Sequence, residues 1–189
     1  MRFRGRCLNP RGYGMGLRMA WFADLSECTY FGNGCARYLR AVGWLENGKP
    51  FPKGSIDGAV LAKLSTLINN QPWQPVRFRG WHTCDLCPIA NTRLGDRKSY
   101  RNLFLPGQGT IYVCPEGILH YIHEHGYAPP PQFNRAVVEC PPMGSEAYFV
   151  SLRAQGGEPL VDGTCFRPQR THFKLKTLLQ GILRSRRSR

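Results

Sequence analysis

Gly80-Trp-His-Thr-Cys84-Asp-Leu-Cys87-Pro88 and His120-Tyr-Ile-His123-Glu-His125-Gly126, with 32 residues between Cys87 and His120, are the two stretches that decide how this chain is read. Two residues between cysteines, in a tight turn, bring both sulfurs toward one point, where backbone N–H groups can stabilise thiolates. Asp85, Leu86 and Pro88 suit such a turn. Thiolate sulfur and imidazole nitrogen in a tetrahedral set are the ligands zinc prefers. A strand-borne C-x-x-C knuckle, then a hairpin, then a helix with histidines, is an order of elements common to structural zinc sites. The expected cofactor is therefore one zinc ion.

Cys84, Cys87 and His120 form the core of the candidate ligand set, and the fourth place is contested. On an ideal helix, His120 and His123 lie about 60° apart and His120 and His125 about 140° apart, which favours His123. The finger spacing H-x(3–5)-H admits His125 if the helix opens at its last turn, and Gly126 is placed to cause that. His82, two residues before Cys84, is a further candidate for a ligand or for a group that orients one.

The surrounding sequence supplies the scaffold. Tyr38–Trp44 reads as a strand, and Gly48–Gly54, with two prolines, as a loop. Ser55 is positioned as an N-cap for a helix with Ile56, Val60, Leu61, Leu64, Leu67 and Ile68 on one face, stopped by Asn69-Asn70 and Pro72. Trp73–Trp81 alternates as a short strand running into the knuckle, and Asn91–Arg101 is polar enough for an exposed loop. Asn102–Pro106 and Thr110–Val113 flank Gly107-Gln-Gly109, the signature of a β-hairpin. Pro115 suits the first position of the histidine helix, and further helices are expected over Gln132–Glu139 and Ser145–Arg153. Trp21, Trp44, Trp73 and Trp81 are expected to pack in the core or around the metal.

The formal net charge of +14 is unevenly spread: +5 over 1–20, +2 over 21–152 and +7 over 153–189. The expectation is an α+β fold, a small zinc-stabilised domain with C-x-x-C knuckle, β-hairpin and helices spanning 21–153. It lies between a disordered basic leader over 1–20 and a basic tail over 154–189. Leu175, Leu178, Leu179, Ile182 and Leu183 sketch an amphipathic terminal helix in that tail. Basic ends attach to phosphates with little sequence information, making nucleic acid a candidate partner beside an unknown protein partner. Arg77, Arg79 and Trp81 on one strand are the best candidates for stacking on and contacting single-stranded nucleic acid.

No run of about 18 apolar residues is present, so no membrane span is expected. The leader lacks the apolar centre of a secretory signal, and translation from Met15 or Met19 would remove most of it. Cytoplasmic location with reduced thiols is the resulting expectation, with Cys7 and Cys165 in the tails.

At these same residues the chain resembles a family of uncharacterised small bacterial proteins, a domain of unknown function. Its marks are a G-W-H-x-C-x-x-C and an H-Y-I-x-x-H-x-Y pattern, here Gly80–Cys87 and His120–Tyr127. Ala23-Asp-Leu-Ser, Val42-Gly-Trp-Leu, Tyr112-Val-Cys-Pro and Pro129-Pro are further matching pieces, so the likeness covers roughly 21–152. The resemblance implies Cys84, Cys87, His120 and His125 as the set and leaves His123 incidental. It implies no activity.

Enzymatic alternatives carry less. An open zinc site needs a nearby base, and no H-E-x-x-H run occurs; Glu124 reads as a solvated helix charge. Cys114 and Cys140 lack a nucleophile setting and read as small buried residues. A redox C-x-x-C opens a helix after a strand, whereas Pro88 and a polar loop follow this one. No catalytic residue is assigned, and the expected function is a structural zinc domain acting as an interaction module.

Overall fold

The computed structural model describes residues 20–70, 73–76, 82–87, 98–99 and 101–166 of the chain. At its centre are β4 and β5, and their character follows from the hairpin signal. In chain order the elements before them are helix α1 (Asn33–Ala36), strand β1 (Leu39–Ala41), helix α2 (Gly58–Asn69) and the two-residue strands β2 (His82–Thr83) and β3 (Lys98–Ser99). Strands β4 (Asn102–Gly107) and β5 (Thr110–Pro115) pair antiparallel about Gln108-Gly109, and β1 lies parallel to β5 on its other side. Every residue of β4, and all of β5 but Thr110, is buried. That explains why Leu103-Phe-Leu105 and Ile111-Tyr-Val-Cys114 read as unbroken apolar runs: both faces are covered, so no polar alternation is required.

Helices α3 (Ile118–His125), α4 (Pro131–Glu139), α5 (Glu146–Ala154) and α6 (Glu158–Val161) complete the fold, with α4 packed on β4 and on α2. Trp44, fully buried, donates its indole N–H to the Val113 carbonyl at 3.0 Å, crossing from the β1 side to β5. Tyr148 of α5, equally buried, donates its hydroxyl to the Phe104 carbonyl at 2.7 Å. Trp73 packs edge-on to Phe104 and Phe149, at 6.0 and 5.5 Å between ring centres. Trp21 departs from expectation: it is 39% exposed, with the Lys49 ammonium 4.9 Å from its ring centre.

Several expected boundaries move, each for a visible reason. Helix α2 starts at Gly58, not after Ser55, because the Asp57 carboxylate takes the Ala59 N–H at 2.7 Å and is the better acceptor. Its buried face is Val60, Leu64, Leu67 and Ile68. Pro115 closes β5 instead of opening α3. The ladder continues past it, with Glu116 N–H on the Arg101 carbonyl at 3.0 Å and the Glu116 carboxylate on the Arg101 guanidinium at 2.7 Å. Trp73–Val76 is not a strand: the Gln74 side chain donates to the Asn102 carbonyl at 2.7 Å and accepts the Asn102 N–H at 3.3 Å, substituting for a neighbouring strand. Within the expected loop, Lys98-Ser99 pairs with β2. Helices α4 and α5 fall within one residue of their expected limits.

The packed body runs beyond 153. Leu160 of α6 is buried, and a disulfide joins Cys165 to Cys35 across 130 residues. The expectation of reduced, peripheral thiols does not hold for this pair. Residues 1–19 of the expected leader over 1–20, Cys7 among them, and the amphipathic tail over 175–183 lie outside the described residues. Among those described, no helix is long and apolar enough to cross a membrane.

Candidate metal centre

Strand β2 delivers the chain into the knuckle, and its pairing with β3 sets the height at which Cys84 leaves the ladder. Three contacts then hold the knuckle against the body. The Asp85 carboxylate accepts the Asn47 N–H at 3.2 Å, and the Ser99 hydroxyl accepts the Gly117 N–H at 3.3 Å, tying β3 to the start of α3. Tyr121, buried on the inner face of α3, has its phenol pushed up by burial, and the neighbouring Cys84, Asp85 and Cys87 add to that push.

The far end of α3 carries the decisive geometry. Gly126 takes the left-handed conformation at φ 64°, and its N–H reaches the Tyr121 carbonyl, five residues back. The Tyr127 N–H bonds to the same oxygen at 3.1 Å. A five-residue hydrogen-bonded turn is wider than the four-residue α turn, so a residue at i+5 returns toward the face of residue i. The last turn therefore cancels the roughly 140° that an ideal helix places between His120 and His125. Their ring centres lie 5.2 Å apart. Beyond the turn, Gly126 accepts the Gly54 N–H at 3.0 Å, and the Tyr127 hydroxyl donates to Asp24 Oδ1 at 2.9 Å. Asp24 Oδ1 also accepts the Gly43 N–H at 3.0 Å; burial holds this carboxyl above its ordinary range despite both bonds.

Cys84, Cys87, His120 and His125 thereby lie close enough to hold a metal ion, all four ligand atoms within 4.8 Å of one another. Cys87 Sγ is 3.2 Å from His120 Nε2 and 3.4 Å from His125 Nε2, and Cys84 Sγ is 3.3 Å from His125 Nε2. A tetrahedral ion with bonds of about 2.3 Å to sulfur and 2.0 Å to nitrogen separates those atoms by about 3.5 Å, so the side chains already stand near the edges of such a polyhedron. Both cysteines are buried and both histidines half-buried. Burial raises the Cys84 thiol to about 11, against the N–H groups of Leu86 and Cys87 that pull it down, and burial lowers the His125 imidazole. The imidazole is thus in its neutral, ligating form at neutral pH, and a cation entering the site displaces the thiol proton.

Not every candidate joins. His123 points away and is exposed, as is Glu124. His82 has its backbone in β2, while its side chain lies outside the described residues, as do Arg77, Arg79 and Trp81 altogether. Cys114 and Cys140 are buried, with burial pushing both thiols up, Cys140 to about 12, which suits packing and not nucleophilic attack. The residues after Cys87, where a redox motif would open its helix, lie outside the described residues. Residue-by-residue reading missed the Asp24–Tyr127 latch; its only sequence signal is that both lie in pieces shared with the resembling family.

Replacing Gly126 by alanine is expected to cost about 1–2 kcal/mol, the penalty for a side chain in the left-handed region. Metal affinity is expected to fall with it, since the same turn aims His125. Equilibrium unfolding together with competition against a chromogenic chelator reads both quantities; unchanged affinity would separate the turn from the site.

The fold and the site define a small α+β domain with a candidate Cys2His2 metal centre. The chain belongs to the family described as Domain of unknown function (DUF7919), whose profile matches residues 20–138 and so contains all four candidate ligands. Comparison with curated proteins and with solved structures returns no match. Helices α5 and α6 and Cys165 lie beyond the matched stretch.

Proposed function

We propose that this chain is a zinc-stabilised interaction module in which the metal is structural. The observation that supports it is the spacing of the four ligand atoms, 3.2 to 3.4 Å between sulfur and nitrogen. Four protein ligands fill a tetrahedral shell and leave no place for a reacting water, which favours a structural role over a catalytic one. Two thiolates with two imidazoles favour zinc over the oxygen-seeking cations. The metal's role is to join two pieces distant in the chain: the knuckle, with Cys84 and Cys87, and α3, with His120 and His125.

The partner is proposed to be a protein or a nucleic acid. The concentration of +5 and +7 in the terminal segments supports added phosphate affinity of a sequence-independent kind. In the proposed cytoplasmic setting, a reducing compartment opens the Cys35–Cys165 bond.

Metal analysis and cobalt substitution test the proposal. Untagged protein is expected to contain about one zinc per chain, and the cobalt form to show a tetrahedral spectrum insensitive to small exogenous ligands. A spectrum that shifts on adding cyanide or azide reveals an exchangeable position and supports the rival reading, a zinc-dependent enzyme.

A further inference from the structure

A second site stands at the closed end of the hairpin, away from the strand ends that lead into α3. A cavity of about 390 Å³ lies there between the hairpin turn and α4, lined by Gly107, Gln108, Tyr112, Gln132, Arg135 and Glu139. Its size falls within the range of small-molecule sites. Gly107 is required for its shape: a Cβ at that position would collide with the Tyr112 ring.

Two observations say what the cavity lacks. Tyr112 is only 6% exposed, yet its hydroxyl has no hydrogen-bond partner among the described residues. That oxygen is not sealed from solvent, so it stands open at the cavity to an acceptor from a ligand. The charges that act on the phenol are positive, although the Glu139 carboxylate also lines the cavity. Arg135, on α4, makes no ion pair or hydrogen bond with any described residue. Arg40 stands directly across from Tyr112 in the β1–β5 register, and its guanidinium donates only to the Leu39 carbonyl at 3.1 Å. Both guanidiniums favour the ionised phenol, but burial outweighs them and raises it above its ordinary value, so it remains a donor at neutral pH.

We propose that this cavity binds a small molecule through an oxyanion, a carboxylate or phosphate group held between the Arg135 guanidinium and the Tyr112 hydroxyl. Arg40 strengthens the local positive field, and the Gln108 and Gln132 amides are left to meet the neutral remainder of the ligand. Glu139, at the rim, selects against a second negative charge and suits a neighbouring ammonium. The site is separate from the Cys/His cluster and does not depend on the metal reading.

The test uses the full metal-loaded chain, 15N-labelled and titrated with sodium phosphate or sodium acetate at ionic strength fixed by sodium chloride. Saturable amide shifts are expected at Gly107, Gln108, Tyr112 and along α4. Saturation by phosphate, by acetate or by both identifies the oxyanion. Arg135→Gln, an exposed position, is expected to weaken the apparent affinity about tenfold, as loss of a charge-assisted hydrogen bond implies. Tyr112→Phe is expected to weaken it about three- to tenfold. No saturable shift with either anion, or an affinity unchanged in Arg135→Gln, overturns the proposal.

Discussion

Cys84→Ser and His120→Ala are expected to lose cooperative folding across the knuckle, the hairpin and α3, and a strong chelator is expected to do the same to the parent. Zinc contributes of order 10 kcal/mol to folding in finger peptides, which is comparable with the whole stability of an ordinary domain. The local packing explains why so large a share would rest on the ion. Among the described residues, Asp85 ties the knuckle to Asn47, Ser99 ties β3 to Gly117, and Tyr121 of α3 lies beside the thiols. Without the metal, the site is a pair of buried thiols against two imidazoles, and burial opposes the ionised thiolate. His123→Ala supplies the contrast. That side chain is exposed on the same helix, so the variant is expected to keep both its melting temperature and its zinc. Thermal unfolding with and without chelator, with metal content measured on each variant, checks all three. A parent that melts identically after its metal has been stripped ends the structural-zinc reading.

The second large effect concerns the other pair of sulfurs. Cys165→Ser is expected to destabilise the oxidised protein by about 4–5 kcal/mol, because the bond closes a long loop and restricts the unfolded chain. The bridged residues are 130 apart, so the loop is nearly as long as the described body. For a chain of this size that corresponds to about 10–15 °C in melting temperature. Reductant should lower the parent by a similar amount and leave Cys165→Ser where it was, which distinguishes the cross-link from any packing role of the cysteine itself. A parent indifferent to reductant, with its thiols shown to be open, would mean that the bond does not hold the C-terminal segment. The cost is expected to be local first: α6 and the turn after it rest on α1 and α5, and Leu160 is their buried anchor.

These two sets of cysteines differ in how visible they were. Cys84 and Cys87 announce themselves through a spacing of three and a turn composition, because the constraint between them is local. Cys35 and Cys165 carry no such sign. Their partnership depends on α1, α5 and α6 arriving at one place, and nothing in the neighbourhood of either residue encodes that. Cys165 accordingly reads as part of a basic tail.

The same division runs through the secondary structure. The β4–β5 hairpin is legible because Gly107-Gln-Gly109 sits between two apolar runs that have only to fold back on themselves. Gly126 is legible as a helix stop because its φ of 64° is a property of one residue. The start of α3 is not legible locally, because the choice between extending the ladder and opening the helix lies with Arg101, which pairs with Glu116 from across the hairpin. The expected strand over Trp73–Trp81 is absent from its described part, 73–76, for the opposite reason. Gln74 meets Asn102 with its side chain, so the edge of β4 is satisfied without a strand.

Sequence alone determined the candidate ligand types and the elements that carry them, since sulfur and imidazole chemistry, turn residues and helix stops act within a few positions. It left the fourth ligand open between His123 and His125 on helical geometry, and only the likeness to related sequences favoured the latter. Tertiary structure decided which histidine faces the thiols, through one widened turn held by Gly54, Asp24 and Tyr127. It likewise decided that β1 runs parallel to β5, that Cys35 meets Cys165, and that Tyr112 and Arg135 line one cavity. Each of these depends on segments distant in the chain. Their approach is set by the packing of the whole core and not by the preference of any one stretch.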